Sequence, residues 1–307
     1  MKKVGLLLVV LGVCQWVVGG QSSWAYQYKE GSIEDGGTLS GTVTLLGDVP
    51  KPKGYNLVTF PDPVFCGRIS TGKGWRLLQP FNVDSSGGFR DVVVLLEGIK
   101  EGKPFTNTTK LIESVDCKFA PYVTVVRNKQ DIEVVNLDPV MHDIQGYETS
   151  KYGSRVLFNV PLPFSKRLNK NDFFKGKTVK KRRGKVMTQK IKMTKGRNVF
   201  VMQCGFHAYM ESWGLAVKNP YFAISGKAGQ FTISDIPPGT YHGMVWHPML
   251  TKEFDVTIEP NGKATLDIQF DAPKGRLYAN EIEETPRFGM ELLGNSTIEP
   301  IVELQTY

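Results

Sequence analysis

The chain has 307 residues, of which 41% are hydrophobic and 22% charged, with 32 glycines, 18 prolines and a formal net charge of +8. That length can bury two cores, and short alternating apolar runs punctuated by Gly and Pro exclude a helical bundle in favour of an all-β protein. The chain has four histidines and four cysteines, and no Cys-x-x-Cys-His run is present for covalent haem.

The N-terminus is basic at Lys2 and Lys3, apolar from Val4 to Val18, and carries small residues at Ser23 and Ala25. This pattern predicts a secretory signal over 1–25, cleaved after Ala25, and therefore an exported, periplasmic or otherwise extracytoplasmic chain. The apolar run, broken by Gly12 and Gln15, is short for a membrane span. Residues 26–60 hold a polar lead-in, a predicted strand at Leu39–Leu46 and a Gly/Pro turn. Residues 52–90 are loop-rich. Strands are predicted at Phe89–Leu96, Pro121–Val126 and Asp131–Asn136; with others near 157 and 200 they suggest a Greek-key sandwich over 61–217. His142 lies just past the third of these.

A basic stretch follows. From Ser165 to Arg197 there are fourteen Lys or Arg and one acid, Asp172, against +8 for the whole chain, so the remainder is net negative. Its densest point is Lys180, Lys181, Arg182 and Arg183. A charge run is usually a solvated face. Set between two strands of the sandwich, it would also steer an acidic redox partner, raising the on-rate in a salt-dependent way. Export argues against nucleic acid and leaves an anionic surface as the other partner.

Val199–Gln203 reads as a buried strand ending in Cys204, with His207 and Met210 following at equal spacing. Thiolate, imidazole and thioether are the donors copper prefers, and a second imidazole from His142 would complete a His₂Cys site with a weak axial Met. Gly205 gives the intervening turn freedom. The Cys-x-x-His-x-x-Met spacing, after an upstream His, resembles that of the cupredoxins, and among them the short ligand loop of amicyanin. The resemblance implies one type 1 copper held by His142, Cys204, His207 and Met210, single-electron transfer without catalysis, and a c-type cytochrome or membrane oxidoreductase as partner. It also implies that His207 lies at the solvent edge as the electron exit. Asp143 stands where the family often has an Asn that steadies the ligand loop; an ionised Asp accepts but does not donate. A copper carrier without redox turnover, or a scaffold with a vestigial site, are the rival readings.

With Cys14 in the leader and Cys204 on the metal, Cys66 and Cys117 are left to form a disulfide; pairing of either with Cys204 is the alternative. Gly214–Val217 is the predicted last strand of the sandwich. Over 218–272, hairpins are predicted about Gly226–Gly229 and Pro260–Gly262, and the run Gly229–Tyr241 resembles the carboxypeptidase-regulatory or transthyretin-like β-sandwich. That resemblance assigns Gly41–Val43 to the second sandwich and makes the first an insertion in it. His242 and His247 point to opposite faces of one strand and share no metal. Residues 273–307 form a C-terminal extension.

Overall fold

The computed structural model describes residues 27–106, 109–150, 153–164, 184–194, 196–275 and 277–278. The predicted leader, Lys180–Arg183 and nearly all of the C-terminal extension lie outside these residues. The described chain is all-β, with twenty-one strands, one four-residue helix (Pro63–Cys66) and two single 3₁₀ turns.

Two mixed sheets enclose the core that holds His142 and Cys204. One runs Met187–Lys190, Asp131–Asn136, Lys110–Val115, Lys118–Ala120; the other runs Arg155–Leu162, His142–Thr149, Val199–Gln203, Glu211–Val217, Val123–Arg127. Lys110–Val115 pairs in parallel with Asp131–Asn136, and Val123–Arg127 in parallel with Glu211–Val217. Parallel neighbours need crossovers rather than tight turns, and between each of these pairs the chain passes through the facing sheet. Ile112, Ile132, Val134, Ile144, Phe158, Phe200 and Met202 pack between the sheets. Phe200 lies over Gly214 on the adjacent strand, where a Cβ would come within 2.0 Å of the ring.

A second pair of sheets encloses another core. Phe222–Ile224, Val93–Leu96, Gly239–His247 and Leu250–Ile258 form one; Gln230–Ile236, Gly37–Leu46, Lys263–Thr265 and Ile268–Asp271 form the other. Gly41–Val43 thus sits in the second pair, facing Phe231 and Gln230. Leu39, Val43, Phe89, Val94, Phe231, Ile233, Val245 and Phe270 fill the space between.

Three strand expectations fail. The apolar run ending in Val93–Leu96 joins the second pair of sheets, between Phe222–Ile224 and Gly239–His247, not the sandwich around His142. Its four residues are all buried, so periodicity could not say which core they fill. Neither predicted hairpin forms. The turn at Gly226–Gly229 carries the chain from Phe222–Ile224 to Gln230–Ile236 in the facing sheet, and the Pro260–Gly262 turn carries it from Leu250–Ile258 to Lys263–Thr265. Both are sheet-to-sheet corners. The hairpin that does form joins Gly239–His247 to Leu250–Ile258 in continuous register.

Candidate metal centre

Strand pairing brings the four predicted ligands to one end of the first sandwich. His142 opens its strand opposite Leu162. Cys204 follows Val199–Gln203 directly, and the next strand starts at Glu211, paired with Gln203. The loop between is closed by its own backbone: Cys204 N–H donates to the Met210 carbonyl at 3.1 Å, and Met210 N–H to the His207 carbonyl at 2.8 Å. His142, Cys204, His207 and Met210 are all buried.

The imidazole nitrogens turned inward are both Nδ1. They lie 3.2 Å apart, and Cys204 Sγ is 3.9 Å from His142 Nδ1 and 3.7 Å from His207 Nδ1. The outward nitrogens face acceptors: His142 Nε2 lies 2.8 Å from Asp138 Oδ2 and His207 Nε2 lies 3.0 Å from the Pro61 carbonyl. A carbonyl only accepts, so His207 carries its proton on Nε2; the carboxylate calls for the same in His142. Two Nδ1 lone pairs therefore converge on the cysteine sulfur with no proton of their own to share. A first-row metal bonds nitrogen at about 2.0 Å and thiolate at about 2.3 Å. A triangle with sides of 3.2, 3.7 and 3.9 Å is spanned by such bonds from one ion near its plane. The donor set fits a copper ion, with soft sulfur and two imidazoles together.

The electrostatics agree. Burial pushes the Cys204 thiol up to about 12, although the backbone N–H groups of Asp143 and His207 pull it down. Burial, and then the adjacent His142, hold the His207 imidazolium below its ordinary value. The site thus disfavours both a bare thiolate and a charged imidazole, and a cation bound between them would supply the missing charge compensation.

Around the loop, Asp143 Oδ1 accepts from Gly205 N–H at 2.5 Å and Oδ2 from Gln145 Nε2 at 2.7 Å. Asp143 thus reaches across to the Cys204 loop by accepting alone. A Cβ on Gly205 would come within 2.2 Å of Gln145 Nε2 and 2.8 Å of Asp143 Oδ2, so the glycine lets these two side chains close on the loop, and its φ is ordinary.

Cys66 and Cys117 form the predicted disulfide, leaving Cys204 free. The disulfide pins the segment from Leu57 to Ser70, with its helix Pro63–Cys66, beside the loop. Cys66 Sγ is 3.7 Å from His207 Nε2. This overturns one expectation: His207 is 0% exposed and is not at the solvent edge. Pro61 and Cys66 cover the side of the ring that was to be the exit. The exposed apolar side chains near it are its neighbour Phe206, with Met141 beside His142 and Val64 on the cover. Sequence reading missed Asp138 and Pro61. Hydrogen-bond acceptors behind a ligand have no spacing rule, and the only available signal was an acid four residues before His142.

The other histidines stand apart. His247 is buried, packs on Phe81 and Phe89 and reaches the Pro80 carbonyl, and burial presses its pKa to about 4. His242 is half-exposed beside Asp255.

No protein-family model matches the sequence, and no curated protein matches it. Solved structures similar to part of the chain include a cupredoxin, amicyanin and a copper-containing nitrite reductase. A purple cupredoxin from Nitrosopumilus maritimus is 16% identical over 35% of this chain and 99% of its own, with a TM-score of 0.24. The P52G mutant of amicyanin in its reduced Cu(I) form at pH 4 is 10% identical over 40% of this chain and 98% of its own, TM-score 0.24. The copper-containing nitrite reductase NirK from Thermus scotoductus SA-01 is 14% identical over 38% of this chain and 24% of its own, TM-score 0.25.

Proposed function

We propose that this chain is an exported mononuclear copper protein that passes single electrons between redox partners and catalyses no reaction of its own. The observation that carries the reading is the buried triangle of His142 Nδ1, His207 Nδ1 and Cys204 Sγ, with both outward nitrogens engaged by acceptors. Met210, at the end of the same loop, is the axial ligand in this reading. Bound copper would supply a one-electron couple, Cu(II) to Cu(I). The chain's own part is to hold the donors in one arrangement on rigid strands, exclude water, and keep both imidazoles in the tautomer that presents Nδ1. The test is the visible spectrum of the purified protein with one equivalent of Cu(II). An intense thiolate-to-copper band that disappears in Cys204→Ser is expected; a colourless wild type sinks the reading.

A second reading, copper carriage without turnover, draws support from the cover over His207, because a shielded ligand edge slows exchange between molecules. A fast self-exchange rate of the loaded protein decides for electron transfer, and a Cu(I)-only, colourless site decides for carriage.

The basic stretch is the proposed docking arm, through Lys180, Lys181, Arg182 and Arg183, for a c-type cytochrome, a membrane oxidoreductase or an anionic surface. The described residues on either side support its placement. Leu162, two residues before Phe164, pairs with His142, and Gly184 N–H donates to the Asn136 carbonyl at the same end of the sandwich. Transfer rates to an acidic partner that ignore ionic strength would dispose of this arm. The second pair of sheets, read as a transthyretin-like module into which the first is inserted, is proposed to act as scaffold.

A further inference from the structure

We propose that Asp138 is a positioning residue of the metal centre, fixing the tautomer of His142 and biasing the site toward the oxidised ion. The inference rests on the copper reading above.

Asp138 is buried, and its only ion-pair partner among the described residues is His142. Every other contact to its carboxylate is a donor held by the fold. Asp116 N–H donates to Oδ1 at 2.6 Å and Cys117 N–H to Oδ2 at 2.9 Å, with Ser114 Oγ at 3.4 Å. Asp116 and Cys117 both have positive φ, 50° and 53°. Consecutive residues in that conformation form the two-residue type I′ turn of a hairpin, and here both of its N–H groups face one carboxylate. The chain therefore builds an oxyanion cradle at the tip of the Lys110–Ala120 hairpin, fills it with a side chain from the Asn136–His142 loop, and sets that side chain against His142 Nε2. Asn136 steadies the loop: its Oδ1 accepts from Asp138 N–H at 2.8 Å, and its Nδ2 donates to the carbonyls of Val140 and Leu162.

If the carboxylate only capped the hairpin turn, it would gain nothing from the imidazole. With both contacts, the ring N–H is anchored to a negative charge. That proton stays on Nε2, Nδ1 keeps its lone pair for the metal, and the ring becomes a stronger donor. A stronger nitrogen donor favours Cu(II) over Cu(I), so Asp138 holds the potential down. The second imidazole lacks this support, because His207 Nε2 faces the neutral Pro61 carbonyl. The two histidines are thereby unequal. Cys117 also ties the arrangement to the disulfide, since its N–H shares Oδ2 with His142.

The test has two arms. In the metal-free wild type, nitrogen-resolved NMR of the imidazoles should show His142 protonated on Nε2 in a strong hydrogen bond and bare at Nδ1; a proton found on Nδ1 overturns the proposal without any variant or copper. In the second arm, Asp138→Asn and Asp138→Glu are titrated with Cu(II) and, separately, with Cu(I) against a chelator. Asp138→Asn should weaken Cu(II) binding about 10–100-fold and Cu(I) binding less, raising the potential by about 59 mV for each tenfold of difference; Asp138→Glu should recover part of it. Equal losses for the two ions, with an unchanged potential, would reduce Asp138 to a turn cap. A wild type that takes up no copper sinks the copper reading and the bias toward the oxidised ion with it, whereas copper uptake with His142 protonated on Nδ1 overturns the positioning role alone.

Discussion

Asp143 ties the ligand loop to the His142–Thr149 strand through acceptors only, and that makes its substitution informative. Its Oδ1 takes Gly205 N–H, its Oδ2 takes Gln145 Nε2, and Gln145 Oε1 in turn takes the Tyr147 hydroxyl. In Asp143→Asn the oxygen facing Gly205 can remain, but an N–H₂ group then meets the Gln145 amide. Turning that amide over would reverse the Tyr147 bond, making the phenol oxygen the acceptor and taking the partner from its proton. We expect a loss of about 1 kcal/mol and faster copper release to a chelator, whereas Asp143→Ala loses both bonds and about twice as much. Denaturant melts of the two variants check this, and an asparagine as stable as the wild type would show that the network is slack. Cys204 and His207 were legible because their spacing fixes a ligand loop between two strands, and His142 because it follows a predicted strand upstream. Asp138 and Pro61 were not, because any acid or carbonyl can back a histidine and only the fold says which one arrives there.

At the scale of elements, the strands that carry His142 and Cys204 are held at the end away from the candidate metal centre by one buried carboxylate. Glu148, near the end of His142–Thr149, takes Arg155 Nε at 2.7 Å and Nη2 at 3.0 Å, with Arg197 Nη1 at 3.3 Å and the N–H and hydroxyl of Thr194. It therefore joins the neighbouring edge strand to the segment that leads into Val199–Gln203. The Arg155 hydrogen bond, ahead of the opposing cost of burial, lowers its pKa from 4.5 to about 2. A carboxylate with a depressed folded value adds stability that is complete above its unfolded pKa and is lost as pH falls toward the folded one. Unfolding midpoints should therefore drop between about pH 4.5 and pH 2, and Glu148→Gln should flatten that part of the profile while costing about 2 kcal/mol at neutral pH. An unchanged acid slope in the variant would remove Glu148 from the account. The failed hairpins belong to this scale too. Gly226–Gly229 and Pro260–Gly262 do reverse the chain, as Gly and Pro dictate. A turn in a sandwich leads either to the adjacent strand or to the facing sheet, and the residues at the turn are the same in both cases. What decides is whether the partner edge is already occupied. Phe222–Ile224 finds its neighbour in Val93–Leu96, more than a hundred residues earlier, which no local pattern announces.

For the whole molecule, the five-stranded sheet is the shared wall between two cores. Along Glu211–Val217, Ala216 packs into the core beneath the metal centre, while Leu215 and Val217 pack into the other. Along Val123–Arg127, Val126 faces the first and Val123 and Val125 face the second. Both faces are buried here, which is why apolar residues stand at adjacent positions, Leu215 to Val217 and Val125 to Val126, rather than alternating. The connectivity adds to this: a fragment over 61–217 contains Val93–Leu96 but neither of its partner strands, and would leave Val123, Val125, Leu215 and Val217 bare. Such a patch on an isolated piece favours association over folding. The two sandwiches should therefore unfold together. Calorimetry of the intact protein is expected to give one transition whose calorimetric and van't Hoff enthalpies agree, and Leu215→Asp should lower that single midpoint and weaken copper retention along with it. Two well-separated melts, or a soluble folded 61–217 fragment that binds copper as tightly as the whole chain, would show that the wall is a contact between independent domains and that the metal end needs nothing from the other core.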